Sequence, residues 1–591
     1  MKKHRVIFLP DQVEVVVPEG TSLLQAIQEA GLEFEGPCGG KGTCGKCRAK
    51  IIEAGGQRWI LACQSLVTAG MTVEIPKPEV YLARNDALTA GLPEGKPSPG
   101  ITKLVVQVEA PSLSKQLADA ERLLQSLPRG AQVLKLAALR DLPAAVRKEN
   151  GLTTIVLEGN QVLAVEAGDT GEHFYGLAVD IGTTTVMAGL LDLHSGKTMV
   201  TVSAGNTQNI FGADVISRIE YAMQGSKQLG QLQRRVIQVI NRLIRKAAVQ
   251  AGISEKQIYL AAVVGNTTMS HLFLGVDPRH LAPAPFIPAF TGLVRVEAWE
   301  IGLSLAPHAP VYLLPNIAGY VGGDTVGVIL ATDLHQGEGN RLAVDIGTNG
   351  EIVLASSGRL ITCSTAAGPA FEGAQIKHGM RAQAGAIEGV TIDEDVSLRV
   401  IGDVPAKGIC GSGLMDAVAE LVRHGIIEKG GRLLAKEEGK HLPPALQKRL
   451  GLWEGNSCFI LATEEETGGD PVVLTQKDVR EVQLAKGAIR AGIQVLLDQL
   501  GLTAAELDEV LLAGAFGTYL NKKSALEIGL LPPVDPAKIR AVGNAAGAGA
   551  VMALLSAEIR EKAVKVAAGT EHLELSARRD FQEEFLEALY F

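Results

Sequence analysis

The heptapeptide LAVDIGT occurs twice, at Leu177–Thr183 and at Leu342–Thr348, and any fold for this chain must accommodate both copies in related places. In each copy an apolar run ends at an aspartate, a glycine breaks it, and a second apolar run follows: LAVDIGTTTVMAGLLDL and LAVDIGTNGEIVLA. Short runs rich in β-branched and aliphatic residues, bounded by glycine and threonine, predict strand, turn and strand. Glycine lets the N–H groups of such a turn approach an anion, and threonine hydroxyls add donors. An aspartate at the strand end can hold Mg2+ through water. The first hairpin offers Asp180, Gly182, Thr183, Thr184 and Thr185; the second offers Asp345, Gly347, Thr348, Asn349 and Gly350. Two facing hairpins would clamp a triphosphate, which predicts ATP and Mg2+ as ligands of a two-lobed module.

Other nucleotide-binding patterns do not fit. HSGKT at His194–Thr198 imitates a P-loop, but Leu191 stands where its first glycine belongs and the stretch lies between strands. Neither hairpin reads G-x-G-x-x-G ahead of a helix, so a dinucleotide fold is not indicated.

A second signal lies near the start of the chain. Four of the seven cysteines fall in PCGGKGTCGKCRAK and LACQ, so Cys38, Cys44, Cys47 and Cys63 stand at C-x5-C-x2-C-x15-C. In a reducing compartment such a cluster indicates metal rather than disulfides. Four thiolates close the valences of a 2Fe-2S cluster, and glycines around them let backbone N–H groups reach the sulfurs. A zinc knuckle is the competing reading, but it normally has two short C-x2-C pairs and here only Cys44/Cys47 form one. The spacing resembles 2Fe-2S ferredoxins, closer to the adrenodoxin type than to the plant type, with the x15 step to Cys63 departing from both. Cys363, Cys410 and Cys458 stand singly and are expected as buried small hydrophobes.

At 591 residues the chain exceeds one core, and 46% hydrophobic with 20% charged residues suits folded α/β domains. A net charge of -9 without a basic run argues against a nucleic-acid partner. No apolar run is long enough to span a membrane, and the start lacks a cleavable-leader pattern, which predicts a cytoplasmic protein. The expected order is a ferredoxin-like domain over 1–76, a proline- and glycine-rich linker over 77–100, a small α+β middle domain over 101–172 and a two-lobed ATPase over 173–591. Helices are expected at Ser22–Gly31, Leu113–Leu127, Asp214–Met223 and Leu229–Gly252. The tail FQEEFLEALYF places Phe581, Phe585, Leu586 and Leu589 on one face for docking against the core.

Two DIGT hairpins resemble the ASKHA superfamily of acetate and sugar kinases, heat-shock chaperones, hexokinases and actin. VLLAGAFGTYLN, with Gly514 and Gly517, resembles its adenosine motif, and AVGNAAGAGA, with Gly543, Asn544 and Gly547, its later connecting helix. GNTTMSHLFLG, carrying Asn266 and Thr267, and NIAGYVGGDTVG are expected to line the same cleft. By the same resemblance, Asp324 is the expected general base, with Asp180 beside it. The whole arrangement resembles the reductive activators of corrinoid proteins, whose stretches are matched by CGGKGTCGKC, FGADVISRI, STAAGPAFEGA and GICGSGLMDAV. That resemblance implies a β-grasp ferredoxin domain and ATP-driven transfer of one electron from the cluster, reducing Co(II) to Co(I) in a partner corrinoid protein. It further implies an upstream electron donor, a possible homodimer, and a linker that lets the cluster domain swing. The corrinoid should belong to the partner, since D-x-H-x-x-G is absent. A metabolite kinase and a dehydratase-activator-type ATPase with an attached ferredoxin are the alternatives, and a chaperone-like switch would lack its peptide-binding domain.

Overall fold

The computed structural model describes residues 2–591 except 35, 37–38, 41, 43–46, 54–55, 77–78, 84–87, 89–95, 128–132 and 374, and except the side chains at 515 and 518. Its first unit is a five-stranded sheet in the order Val13–Pro18, Lys3–Leu9, Met71–Glu74, Arg48–Glu53, Gly56–Leu61. Alternation in KHRVIFL sends Val6 and Phe8 inward and Lys3 and Arg5 outward. Lys3–Leu9 pairs antiparallel with Val13–Pro18 and parallel with Met71–Glu74, the mixed pattern of a β-grasp domain. The helix Leu23–Glu29 begins on a Ser22/Gln25 capping box and buries Leu23, Leu24, Ala26 and Ile27.

The middle unit is a four-stranded sheet, Ile101–Gln107, Leu152–Glu158, Gln161–Ala167, Val133–Leu134, with the helices Asp119–Ser126 and Leu136–Ala145. Its own core includes Leu123, Leu142, Ile155 and Val162. The first helix starts later than its sequence suggests, and Leu113 is left exposed. Lys103 Nζ joins this unit to the next by donating to Glu166, to the carbonyls of Thr170 and His173, and to Tyr259 Oη.

Both lobes of the remaining module repeat one plan. In the first, the order is Val294–Glu297, Pro310–Leu313, Ile258–Gly265, Tyr175–Ile181, Thr185–Asp192, Thr198–Gly205, Val80–Ala83. In the second it is Ile539–Gly543, Glu509–Ala513, Arg341–Ile346, Gly350–Ser356, Arg359–Thr365, Thr570–His572. Each LAVDIGT strand is central, antiparallel to the strand that follows its turn and parallel to a later strand that is buried but for Glu509. The helices Gly323–Ala331 and Ala545–Leu555 cross at Gly327 and Gly549, where a Cβ on Gly549 would stand 2.3 Å from Gly327 Cα. Glycine on both sides lets these backbones touch. The helix Ala545–Leu555 thereby joins the first lobe's core although it comes from the chain's end.

The described part of the linker is held down. Val80–Ala83 adds an edge strand to Thr198–Gly205, Leu88 is 1% exposed, and Arg560 donates to the carbonyl of Pro99. The helix Arg579–Ala588 docks Phe585 and Leu589 on Gly487 of the helix Gln476–Leu500, whereas Leu586 turns away and is exposed. Phe585 and Leu586 are sequence neighbours, about 100° apart on a helix, which rotates Leu586 off the docking face. Cys363, Cys410 and Cys458 are buried.

Candidate functional site

Each hairpin turn closes on a backbone bond. Gly182 N donates to Thr185 O at 3.0 Å and Gly347 N to Asn349 O at 3.0 Å. A Cβ on Gly182 would lie 2.6 Å from Thr185 O, so the first turn admits no side chain there. Across the cleft the hydroxyls of Thr184 and Thr348 are 3.5 Å apart, which brings the two turns face to face. Thr183 and Thr348 are buried, while Thr185 is exposed and opens the return strand. Gly350 packs closely against Ile489 and Thr365, so its part is to seat the second hairpin on the helix Gln476–Leu500.

Side chains brace these turns. Asn266 caps the helix Thr267–Leu274 through Met269 N and donates to Thr183 Oγ1 at 3.1 Å. Thr267 Oγ1 is spent on Ala318 O at 2.6 Å, which ties the two expected cleft loops together. Behind the first turn, Asn206 Nδ2 donates to Gly182 O at 3.0 Å and Arg218 Nη2 to Thr183 O at 2.6 Å. Behind the second, Thr348 Oγ1 donates to Glu372 Oε1 at 2.5 Å.

The acidic groups converge at the floor. Asn544 Nδ2 donates to Asp180 Oδ2 at 2.9 Å while its own Oδ1 caps the helix Ala545–Leu555 through Gly547 N. Burial pushes Asp180 up to about 6, with the Asn544 bond opposing. Asp324, in the first turn of the helix Gly323–Ala331, is raised to about 7 by burial, with the Thr325 amide opposing and the Asp180 charge adding. Asp345 is raised to about 7 by burial and then by Asp324 and Asp180. Glu351 is raised well above the carboxylate range by burial, then by Asp324 and Asp345. Four partly exposed carboxylates whose charged forms are disfavoured at the cleft floor suit a cation, which would favour those charged forms. Among the described residues no three His, Cys, Asp or Glu side chains converge closely enough to cage a metal directly. Mg2+ usually keeps several waters and accepts such a setting.

The later glycines divide by role. Gly514 has φ +85°, and a Cβ there would meet Asp345 Oδ1 at 2.6 Å, so glycine is needed on both counts. Gly517 lets the helix Gly514–Tyr519 fold back on Leu512. Gly543 turns at φ +65° into Asn544. Gly547 lies where Leu88 of the linker inserts, its Cβ position 2.3 Å from Leu88 Cδ2, so packing against the linker accounts for this glycine.

Of the four cluster cysteines, Cys38 and Cys44 lie outside the described residues. Ala62 N donates to Cys47 O at 2.8 Å, which draws the other two together, and Cys47 Sγ and Cys63 Sγ stand 3.2 Å apart. Two thiolates on one tetrahedral metal with bonds of about 2.3 Å stand roughly 3.8 Å apart, so this pair fits one iron after a small adjustment. Cys63, the member with the unusual spacing, is therefore at Cys47's side. Positive φ at Gly39, Gly40 and Gly42 gives the loop a path that other residues rarely take.

Sequence reasoning missed four participants. Glu351 directly follows the second turn, and that adjacency was its signal. Asn206, Arg218 and Glu372 lie in or near stretches whose resemblance is visible, but nothing local marks them as supports of a turn.

Comparisons agree with this layout. Family models match at residues 7–68 (2Fe-2S iron-sulfur cluster binding domain), 92–172 (RACo linker region), 175–337 (RACo middle region) and 339–591 (C-terminal domain of RACo, the ASKHA domain). The small α+β unit thus corresponds to what that family terms its linker region. The corrinoid activation enzyme RamQ of Eubacterium limosum is 33% identical over 98% of both chains. The Co(II) methylated amine-specific corrinoid protein reductase of Methanosarcina barkeri is 29% identical over 61% of this chain and 66% of its own. A solved reductive activator for a corrinoid, iron-sulfur protein superposes with a TM-score of 0.76 at 37% identity, covering 100% of this chain and 98% of that one.

Proposed function

This chain belongs to the RACo family, and we propose on that premise that it is an ATP-dependent reductive activator of a corrinoid protein, returning inactive Co(II) to Co(I) one electron at a time. The observation that carries this reading is the seating of a ferredoxin domain on the lobe that presents the first phosphate hairpin, in a chain similar to such activators over its whole length.

When bound, a 2Fe-2S cluster supplies single electrons near about -400 mV, and Mg2+ with ATP supplies a phosphoryl group for hydrolysis. Co(I) is a much stronger reductant, and each 100 mV of mismatch costs about 2.3 kcal/mol per electron. Coupling between sites typically supplies about 1–3 kcal/mol, so nucleotide binding and hydrolysis together are the natural source of the difference. Cys38, Cys44, Cys47 and Cys63 would hold the cluster. The Thr183, Thr184, Thr348 and Asn349 turns would hold phosphates, Asp180 and Asp345 would orient the Mg2+ waters, and Gly514 and Gly517 would border the adenosine. Asp324, with its proton affinity raised towards neutrality, would orient or deprotonate the attacking water.

The partner is a corrinoid protein, with a low-potential donor recharging the cluster from elsewhere and a second copy of this chain as a further partner. No helix of the described residues is long and apolar enough to cross a membrane. We place the activity in the cytoplasm, where reducing conditions preserve thiolate ligands.

The test is anaerobic. Reduced protein mixed with a Co(II) corrinoid protein should produce the Co(I) absorption band only with ATP and Mg2+. Appearance of the band without ATP, or its absence with several corrinoid partners, overturns the reading.

A further inference from the structure

Between the first phosphate turn and the cluster loop lies one short segment, Asn206–Asp214, that is fastened to both. On the nucleotide side two consecutive carbonyls of the turn are held from behind: Gly182 O by Asn206 at 3.0 Å and Thr183 O by Arg218 at 2.6 Å. The same guanidinium donates through Nε to Gly212 O at 3.0 Å and through Nη1 to Gln208 Oε1 at 3.2 Å. On the cluster side, Gly36 N donates to Asn209 Oδ1 at 3.4 Å and Gln28 Nε2 to Ile210 O at 2.6 Å. Gly39, next in sequence to Cys38, brings its backbone against Gly212 and Ala213, since a Cβ on it would lie 3.6 Å from Gly212 Cα and 3.5 Å from Ala213 N. Glu33 and Arg242 form an ion pair across the same junction.

Arg218 is fully buried, and its hydrogen bonds go to two carbonyls, an amide oxygen and the Met269 sulfur rather than to a carboxylate. A guanidinium held this way carries a desolvation cost that no direct ion pair offsets. The charges of Asp214 and Glu372 act on it from a distance and oppose that cost only in part. Phosphate arriving at the Thr183 turn would add negative charge close to the carbonyl that this guanidinium holds. It would also favour the geometry in which one planar fork spans Thr183 and Gly212.

We propose that Arg218 is a positioning residue that makes the docking of the cluster loop depend on the nucleotide: phosphate at the first hairpin tightens Arg218 on Thr183 and Gly212, and so firms the surface that seats Gly36 and Gly39. An empty hairpin loosens that surface and frees the cluster domain. This deepens the nucleotide-site reading above and rests on it.

Amide hydrogen exchange on the full-length, cluster-loaded protein tests it, with and without Mg2+ and a non-hydrolysable ATP analogue. Three peptides are followed: the hairpin around Asp180–Val186, the segment Asn206–Asp214, and the loop holding Gly36–Gly42. In the wild-type chain all three should slow on nucleotide addition, the last two by about fivefold or more. In Arg218→Gln the hairpin should still slow at saturating nucleotide, while the response of Gly36–Gly42 is lost; Arg218→Lys, with charge but no fork, should recover part of it. Should Arg218→Gln not fold, Gln28→Ala and Asn209→Ala cut the junction from the other side and should give the same separation. A hairpin that does not respond in the wild-type chain overturns the nucleotide site itself. A hairpin that responds while Gly36–Gly42 does not, or a loop response that survives in Arg218→Gln, or in both other variants, overturns only the coupling.

Discussion

The two LAVDIGT hairpins share sequence and strand pairing, but the first turn closes from Gly182 N to Thr185 O and the second, one residue shorter, from Gly347 N to Asn349 O, and what stands behind them differs as well. The first is propped by Asn206, Arg218 and Asn266, its aspartate is bonded to Asn544, and its supports continue to the ferredoxin domain. The second rests on the helix Gln476–Leu500 through Gly350 and Ile489, its threonine is bonded to Glu372, and its aspartate closes on Gly514. The same heptapeptide thus stands in two different surroundings, one continuous with the ferredoxin domain and one closed by Gly514 and the helix Gln476–Leu500.

Changing the two aspartates should produce the largest effect. If both hairpins clamp one magnesium nucleotide, Asp180→Asn and Asp345→Asn should each lower ATP turnover by about 10²–10³-fold, the scale for losing one charge-stabilising group in an active site. A steady-state ATPase assay showing the loss in only one of them would break the equivalence. Smaller and unequal effects are expected next to those aspartates. Gly514→Ala forces an unfavourable φ and a clash with Asp345, so ATP affinity should fall by about 10–100-fold, given a strain of about 1–3 kcal/mol. Asn544→Ala removes a single bond to Asp180 and should cost tenfold at most, about 0.5–1.5 kcal/mol by titration calorimetry.

The supporting cations offer a sharper contrast. Lys486, on the helix behind the second hairpin, is buried, donates to Tyr590 O, and is pushed down to about 8 by burial. Below pH 8 it is charged in folded and unfolded chains alike, and the fold bears the full cost of burying it. As pH rises from 8 towards 10.5 the folded chain loses this proton before the unfolded one does, so stability should rise. Lys486→Met should remove roughly 1–3 kcal/mol of that rise, read as the difference between wild-type and variant unfolding at pH 7 and pH 10. The smallest effects belong to the facing hydroxyls. Thr184→Val should weaken nucleotide binding a few-fold, and Thr348→Val somewhat more because Glu372 also loses its donor, about 0.5–1.5 kcal/mol. Equal effects would mean that the Glu372 contact contributes nothing.

Much of this was legible in the chain. Alternating apolar runs around DIGT, the Ser22 and Asp214 helix caps and the cysteine spacing are local patterns, and local patterns determine local structure. Less was legible where a residue's role depends on a distant partner. The proline- and glycine-rich stretch reads as free chain, yet Val80–Ala83 finds an open sheet edge and Leu88 finds the space left by Gly547. Gly547 reads as a nucleotide glycine in sequence, but in space it accommodates that leucine. Leu586 has the right residue type for docking and the wrong angle.

By itself, then, the sequence determined the strands, the paired phosphate turns and the presence of a thiolate cluster, because hydrogen-bonding periodicity and ligand chemistry act over a few residues. Only the tertiary structure decided that four carboxylates share one floor, that Cys63 comes to Cys47's side, and that a buried arginine joins a phosphate turn to a ferredoxin loop. Burial and Coulomb interactions depend on distance in space, and residues as remote as Gly36 and Asn209, or Asp180 and Asn544, become neighbours only when the sheets have closed around a common core.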